Sequence, residues 1–141
     1  MKRSAKAVWT GDLRSGNGTI STESGVLSDT PYSFKTRFEH GTGTNPEELI
    51  GAAHAGCFSM ALSVELQKLG LIAERIETQA DVTLEQKVGA FAITAVHLTL
   101  RAKIPGASQS DFEEAANSAK NNCPVSKLLK ADITLDAQLE S

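Results

Sequence analysis

The chain has 141 residues, 14 basic and 17 acidic side chains, a formal net charge of −3 and two cysteines. This length suits one domain with a real core, so we expect a single domain over residues 1–141. The weak charge gives no reason to expect nucleic acid or an anionic membrane as a partner, and no run approaches 18 apolar residues. The basic N-terminus lacks the apolar region of a signal peptide, and two cysteines are too few for a disulfide-stapled secreted domain. We therefore expect a cytoplasmic location.

Short strands and turns are predicted for the first forty residues. The three predicted strands cover residues 6–9, 18–22 and 32–39. In the third, Tyr32, Phe34 and Phe38 share one face by the two-residue period, and Arg37 falls on the other. Arg37 is therefore predicted to lie on a strand.

A long apolar helix is predicted to begin at Asn45 and Pro46 and to end near Gly70. Asn45 is a favourable N-cap, and Pro46 suits the first helical position. Almost no polar face interrupts the helix before Glu65, so we expect other elements to enclose it. One small chain has too few strand residues for that purpose, which predicts an intimate homodimer.

The second half predicts a β-hairpin with its turn near residues 86–89, then two helices and a final strand. A capping-box pattern starting at Ser110 marks the first of these helices. The second is predicted over residues 124–130, with Cys123 as its N-cap and Pro124 in its first position. This order indicates an α+β fold with antiparallel sheets.

The two cysteines occupy different settings in these elements. Cys57 lies inside the apolar helix, whereas Cys123 begins a helix, where the helix dipole favours negative charge. We therefore predict that the two sulfurs differ in reactivity. Because thiolate is the reactive form of cysteine, Cys57 needs a cation, and the candidates are His54, one helical turn earlier, and Arg37.

Arginine is the better candidate, because it stays charged and has several donors that can hold a thiolate. A buried Arg37 would need a carboxylate of its own, and Glu47 or Glu48 could supply it. His54 is more often, in such a position, a packed and hydrogen-bonded side chain than a base.

Three segments carry a resemblance to a known family. They are NPEELIGAAHAGCFSMAL at residues 45–62, NCPVS at 122–126 and STESGVL at 21–27. Together they resemble the osmotically inducible protein C (OsmC) family over essentially the whole chain. Arg37 in the sequence TRFE, and the FSM that follows Cys57, resemble OsmC more than the organic hydroperoxide resistance branch. Gly56 departs from the alanine that is common before the cysteine.

The resemblance implies an OsmC-like fold, in which sheets from two chains wrap around central helices in an intertwined, obligate homodimer. It also implies a cysteine-based peroxidase, active in oxidative and osmotic stress defence, that reduces organic hydroperoxides to alcohols; we expect no cofactor and no metal. By position, Cys57 is the peroxidatic cysteine, Cys123 the resolving cysteine, Arg37 the activating arginine and Glu47 its carboxylate partner.

The implied cycle forms a sulfenic acid on Cys57, which condenses with Cys123 to a disulfide. The resemblance implies an external dithiol as reductant, with dihydrolipoyl groups on carrier proteins as one source. Phe58, Met60 and the aromatic strand face are expected to supply an apolar lining for bulky hydroperoxides.

Two other functions remain open. One is a non-enzymatic, stress-induced protein that binds a small apolar ligand, which is favoured if the Cα atoms of Cys57 and Cys123 cannot approach to about 7 Å. The other is a metal site built from Cys57, Cys123, His54 and a carboxylate, although no short Cys-x-x-Cys spacing supports it.

Overall fold

The computed structural model describes residues 1–141, which form six strands and four helices. In chain order these are β1 (Ala5–Thr10), β2 (Asn17–Thr22), β3 (Thr30–Tyr32), α1 (Phe34–Phe38), α2 (Pro46–Lys68), β4 (Arg75–Lys87), β5 (Ala90–Lys103), α3 (Gln109–Asn122), α4 (Pro124–Leu128) and β6 (Asp132–Glu140). The chain divides into two compact units, Met1–Leu49 and Ile50–Ser141. A single domain over the whole chain stays a prediction.

The first unit contains an antiparallel sheet in the order β1-β2-β3. β1 and β2 agree with the strands predicted at residues 6–9 and 18–22. The strand predicted at residues 32–39 is wrong beyond Tyr32, because residues 34–38 form helix α1. Arg37 therefore lies on a short helix and not on a strand.

Local capping explains why residues 34–38 turn into a helix. The hydroxyl of Ser33 accepts a hydrogen bond from the Thr36 N–H at 3.3 Å, and the Thr36 hydroxyl accepts one from the Ser33 N–H at 2.8 Å. This reciprocal pair is a capping box. Phe34 and Phe38, four residues apart, bring their ring centroids to 4.9 Å. A spacing of four satisfies the strand period and the helix period alike, so the aromatic pattern alone misassigned the segment.

Helix α2 begins as predicted. The side-chain oxygen of Asn45 accepts a hydrogen bond from the Glu48 N–H at 2.8 Å, and Pro46 is the first helical residue. Past the first turn, one side of the helix is buried, as the helical period requires, at Gly51, His54, Phe58, Leu62 and Leu66.

The opposite side of α2 is apolar yet exposed. Met60 is 74% and Val64 52% exposed, so one chain encloses the helix on one side only. The 23 residues of α2, with a mean hydropathy of 1.4 over its most apolar window, would also suffice in length and composition to cross a bilayer. A single helix of this kind is weak evidence for a membrane span, because core helices of soluble proteins meet the same criterion.

The second unit contains the sheet β4-β5-β6. β4 and β5 form the predicted hairpin, and Val88 and Gly89 in its turn both have positive φ, 46° and 79°. β6 runs parallel to β5, which corrects the expectation of purely antiparallel sheets. The physical reason is the connection: residues 104–131 carry α3 and α4, and a crossover of that length can return the chain in the same direction.

The core of the second unit lies between one face of this sheet and two helices. β5 contributes every second residue from Val96 to Ala102, and α2 contributes Phe58, Leu62 and Leu66. α3 contributes Phe112, Ala115, Ala116 and Ala119. The start predicted for α3 is two residues late, because the hydroxyl of Ser108, and not that of Ser110, accepts the cap hydrogen bond, from the Asp111 N–H at 3.0 Å. The α+β class is confirmed.

Candidate active site

Arg37 and Glu47 form an ion pair in the first unit. The Glu47 carboxylate accepts hydrogen bonds from Nη2 of Arg37 at 2.8 Å and from its Nε at 3.1 Å. Glu47 is 10% exposed and Arg37 38% exposed at their side chains. Charge-assisted bonds to two nitrogens fix the plane of the guanidinium. The carboxylate takes Nε and Nη2, which leaves Nη1 for another acceptor.

Glu48, the alternative partner, is engaged elsewhere. Its carboxylate accepts a hydrogen bond from the Thr44 hydroxyl at 2.7 Å. Asn45, besides capping α2, donates from its side-chain amide to the carbonyl of Thr36 at 3.0 Å. That bond ties α1 to the start of α2, so the first turn of α2 and the residue before Arg37 are held together. The contact geometry therefore pairs Arg37 with Glu47.

An apolar groove adjoins Arg37. Its lining consists of Trp9, Leu13, Tyr32, Ser33, Phe34, Arg37 and Phe38. The guanidinium carbon of Arg37 lies 5.3 Å from the centre of the Phe38 ring, within the range of a cation–π contact. The strand prediction had put Arg37 on the face opposite Tyr32, Phe34 and Phe38, whereas all four residues line this one groove.

Cys57 and Cys123 are brought together in the second unit, although they are far apart in sequence. Their side chains lie within hydrogen-bonding reach of each other, and both are free thiols. Cys57 is half-buried, whereas Cys123 is fully buried in the core. The condition that would favour two passive cysteines, thiols that cannot approach, is therefore not met.

The first turn of α4 supplies backbone donors to both sulfurs. The Val125 N–H bonds to Cys57, and the Ser126 N–H donates to Sγ of Cys123 at 3.4 Å. Cys123 is thus the N-cap of α4, as predicted, and Pro124 occupies the first helical position. α4 ends at Leu128, two residues before the predicted end.

Burial raises the pKa of the Cys57 thiol, and the neighbouring Cys123 raises that pKa further. The Val125 N–H is the one group that lowers it, because a hydrogen bond to the thiolate stabilises the charged form. At neutral pH these surroundings favour the unreactive thiol. A cation is therefore required before Cys57 can act as a nucleophile.

His54 does not meet that requirement. Its Nε2 is hydrogen-bonded to the hydroxyl of Ser126 at 2.8 Å, and its ring is fully buried. Burial lowers the pKa of His54 below its usual 6.5, so the imidazole is neutral at pH 7 and offers no permanent positive charge. The packed, hydrogen-bonded reading of this histidine agrees with the structure.

Ser126 was not anticipated as a site residue. Its hydroxyl lies 2.8 Å from Nε2 of His54 and 3.1 Å from Sγ of Cys123. The only sequence signal was its position in the NCPVS segment, where the third residue after an N-cap normally pairs with the cap.

An open apolar groove of about 560 Å³ lies beside Cys57. The residues around it are Cys57, Ser59, Met60, Ala61, Ser63, Val64, Ile76 and Pro124. Met60 lines it as expected. Phe58 does not, because its side chain is fully buried in the core. Each position along a helix rotates the side chain by about 100°, so Phe58 and Met60, two positions apart, point to nearly opposite faces.

A metal centre has no ligand set in this chain. No group of three or more His, Cys, Asp or Glu side chains is arranged to hold a metal ion. Of the four proposed ligands, His54 binds Ser126 instead.

Paired thiols beside the N-terminus of a short helix, in an α+β fold, are typical of proteins with cysteine redox chemistry. Sequence comparison defines the class further. The profile of the OsmC-like protein family matches residues 39–138, and the chain belongs to that family.

Two curated relatives illustrate the range of similarity. Peroxiredoxin OsmC of Escherichia coli K12 is 53% identical over 139 residues, which covers 99% of this chain and 97% of the relative. The organic hydroperoxide resistance protein OhrB of Bacillus subtilis is 29% identical over 124 residues, covering 87% of this chain and 89% of that protein.

Solved structures support the same fold. The crystal structure of Bacillus subtilis OhrB superimposes with a TM-score of 0.67 at 26% identity, covering 97% of this chain and 98% of that one. An OsmC-like protein from Vibrio cholerae gives a TM-score of 0.77 at 18% identity, covering 97% and 99% of the two chains. At 18% identity, the match to the Vibrio cholerae protein supports the fold and not the function. The predicted OsmC-like fold and family are confirmed.

Proposed function

We propose that this protein is a thiol-dependent peroxidase that reduces organic hydroperoxides to alcohols in stress defence. The observation that carries the proposal is the proximity of two free thiols, one at an apolar groove and one in the core, close enough for Cys123 to raise the pKa of Cys57. Relatives named as a peroxiredoxin and as organic hydroperoxide resistance proteins support the same chemistry.

In the first step Cys57 is the nucleophile. Its thiolate attacks the terminal oxygen of ROOH, the O–O bond breaks, and the alkoxide leaves and takes up a proton to give the alcohol. Cys57 becomes a sulfenic acid. Cys57 suits this role because it is the half-buried thiol that lines the groove, whereas Cys123 is sealed in the core.

Arg37 supplies the positive charge that Cys57 requires. Glu47 orients the guanidinium through Nε and Nη2, and a guanidinium has the donors and the charge to stabilise a thiolate and a developing alkoxide. A permanent cation suits this role better than His54, which is buried and neutral.

In the second step Cys123 attacks the sulfenic sulfur of Cys57, and a disulfide and water form. A dithiol reductant then transfers two electrons and two protons and restores both thiols. Dihydrolipoyl groups on a carrier protein have the right chemistry, since a dithiol can close on itself after the first exchange.

The groove beside Cys57 favours a bulky, apolar substrate. Met60, Val64 and Ile76 offer hydrocarbon surface to an alkyl or lipid hydroperoxide. Hydrogen peroxide has no hydrocarbon group that could pack against this surface. Organic hydroperoxides should therefore react faster than hydrogen peroxide.

An obligate homodimer in the cytoplasm completes the proposal. The exposed apolar side of α2, with Met60 and Val64, is what a second chain would cover. Free thiols that cycle through a disulfide suit a reducing compartment. Sedimentation at nanomolar concentration should detect the dimer, and a folded monomer on dilution would contradict it.

The function is tested by comparing two oxidants and two reductants. We expect faster turnover of cumene hydroperoxide than of hydrogen peroxide, and faster turnover with dihydrolipoamide than with thioredoxin. No consumption of either peroxide by the reduced protein would refute the peroxidase and favour the protein that binds an apolar ligand. Equal rates with both peroxides would refute the role of the groove.

A further inference from the structure

A buried chain of hydrogen bonds leads away from the resolving cysteine. Sγ of Cys123 lies 3.1 Å from the hydroxyl of Ser126, which lies 2.8 Å from Nε2 of His54. His54 and Cys123 are fully buried, and Ser126 is 9% exposed. The peroxidase cycle described above leaves Ser126 and His54 without a role.

We propose that Ser126 relays a proton between Cys123 and His54 during disulfide formation. Ser126 touches the reacting sulfur and is the catalytic residue of this step. His54 acts through Ser126 and is a positioning residue and proton acceptor. The inference rests on the proposed assignment of Cys57 as peroxidatic and Cys123 as resolving cysteine.

The need for a relay follows from the burial of Cys123. Thiolate is the form that attacks a sulfenic acid, and a sulfur sealed in the core cannot lose its proton to bulk water. The Ser126 hydroxyl is the side-chain group hydrogen-bonded to it that can both accept a proton and donate one. Its second partner is the imidazole of His54, the most frequent proton acceptor in enzymes.

His54 is free to take part in both directions of transfer. Its second ring nitrogen, Nδ1, is buried and has no hydrogen-bond partner. The bond made by one ring nitrogen normally fixes which nitrogen carries the proton, and here only the Ser126 side makes such a bond. The ring can therefore accept from the Ser126 hydroxyl or donate to it.

The unpaired nitrogen also argues against a purely structural histidine. Leaving a buried polar atom unpaired costs about 1–3 kcal/mol, so a core selected for stability alone would favour an apolar residue at this position. Burial keeps His54 neutral, which is the state in which it can accept a proton.

The step balances as follows. Cys57 carries the sulfenic acid, and Cys123 begins as a thiol. The Cys123 proton passes to Ser126 while the Ser126 hydroxyl proton passes to Nε2 of His54. Sγ of Cys123 attacks Sγ of Cys57, the S–S bond forms, and the S–O bond breaks. His54 returns this proton through the Ser126 hydroxyl to the departing hydroxide, which leaves as water. Cys123 is thereby oxidised, the Cys57 sulfur is reduced, His54 is neutral again, and no further reactant is needed.

The test separates oxidation from disulfide closure. Reduced protein is mixed with one equivalent of cumene hydroperoxide, quenched at intervals and analysed by intact mass, which distinguishes the Cys57 sulfenic acid from the disulfide. The variants are Ser126→Ala, Ser126→Thr, His54→Gln and the double variant Ser126→Ala/His54→Gln. His97→Gln is the matched control, because His97 makes a similar histidine–hydroxyl pair with Thr134 on exposed surface.

We expect Ser126→Ala to oxidise Cys57 at the wild-type rate and to close the disulfide about 100-fold more slowly. Ser126→Thr, which keeps a hydroxyl, should recover most of the closure rate. His54→Gln keeps a polar partner for Ser126 but cannot accept a proton, and closure should slow about tenfold. The double variant should close no more slowly than Ser126→Ala, because both changes break one chain.

Closure in heavy water should also be slower than in light water for the wild type, and this isotope effect should shrink in Ser126→Ala. His54→Gln tests the relay separately if Ser126→Ala folds poorly. Wild-type closure in both single variants would overturn the relay, as would equal slowing of oxidation and closure. Wild-type closure in His54→Gln with slow closure in Ser126→Ala would overturn the role of His54. A wild-type sulfenic acid trapped on Cys123 would instead overturn the proposed site itself.

Discussion

The two cysteine regions of this protein differ in how their surroundings prepare a sulfur for chemistry. Cys57 sits in the middle of a long helix, half-buried beside an apolar groove, and burial raises its pKa. Cys123 begins a short helix, is fully buried, and accepts a hydrogen bond from the Ser126 N–H. Access to the groove thus belongs to Cys57, and hydrogen bonds to the first turn of α4 hold Cys123. Cys57 lines the groove but has surroundings that disfavour its thiolate, whereas Cys123 is hydrogen-bonded by its neighbours and has no access to the surface.

The largest effect is expected from exchanging each sulfur for oxygen. Cys57→Ser should abolish all consumption of hydroperoxide, because the accessible nucleophile is gone. Cys123→Ser should react once per chain, release about one equivalent of alcohol and stop as a sulfenic acid that a dimedone-type probe labels. Excess peroxide should then drive that acid to the sulfinic state. A sulfenic acid on Cys123 in the Cys57→Ser protein, with peroxide still consumed, would reverse the two roles.

Removing the positive charge of Arg37 should have the next largest effect. In Arg37→Ala the oxidation of Cys57 should slow about 100-fold at neutral pH, since a group that stabilises the reacting charge is lost. The raised pKa of Cys57 means that the rate should increase with pH as thiolate forms, and this increase should move to higher pH in the variant. Arg37→Lys should recover little, because lysine lacks the planar fork.

Rapid-mixing measurements of Cys57 oxidation across pH would check this prediction, with circular dichroism as the control for folding. Near-wild-type rates in Arg37→Ala would show that Cys57 obtains its thiolate without Arg37.

A smaller effect is expected at the carboxylate that orients the arginine. Glu47→Gln should slow oxidation about tenfold, because a misplaced guanidinium no longer meets the reacting atoms. Glu48→Gln is the matched control, since Glu48 is its neighbour but is hydrogen-bonded to Thr44. The same assay measures both. Equal losses in the two variants would show that charge near the start of α2 matters and the Arg37–Glu47 pair does not.

The smallest effect concerns the cap that Cys123 provides. Cys123→Ala removes the acceptor for the Ser126 N–H and should lower the free energy of unfolding by about 1 kcal/mol relative to Cys123→Ser, which keeps an acceptor. Urea denaturation of the reduced proteins would measure the difference. Equal stability of the two variants would mean that the cap contributes nothing measurable.

Local sequence patterns predicted the structure correctly where a single residue restricts the backbone conformation. The starts of α2 and α4 were predicted because Pro46 and Pro124 have a fixed φ, and because Asn45 and Cys123 precede them as caps. The β4-β5 hairpin was predicted from its alternation and from Gly89 in its turn.

Local signals failed where two periods fit the same residues. Phe34 and Phe38 suit a strand or a helix, and the capping box formed by Ser33 and Thr36 decides for the helix. In Ser108-Gln109-Ser110 two serines compete as cap, and the first is used. The direction of β6 depends on the path of the chain through α3 and α4, which no local pattern encodes.

The sequence by itself determined the family and the α+β class, because these depend on local patterns and on recognisable segments. Its resemblance to the family also supplied the proposed roles of Cys57, Cys123 and Arg37. Only the tertiary structure brought Cys57 against Cys123, paired Arg37 with Glu47 rather than Glu48, and linked His54 to Cys123 through Ser126. Such contacts depend on which helix faces are buried and on where in the sheet each strand is placed. Packing of the whole chain decides both, and no single segment carries that information.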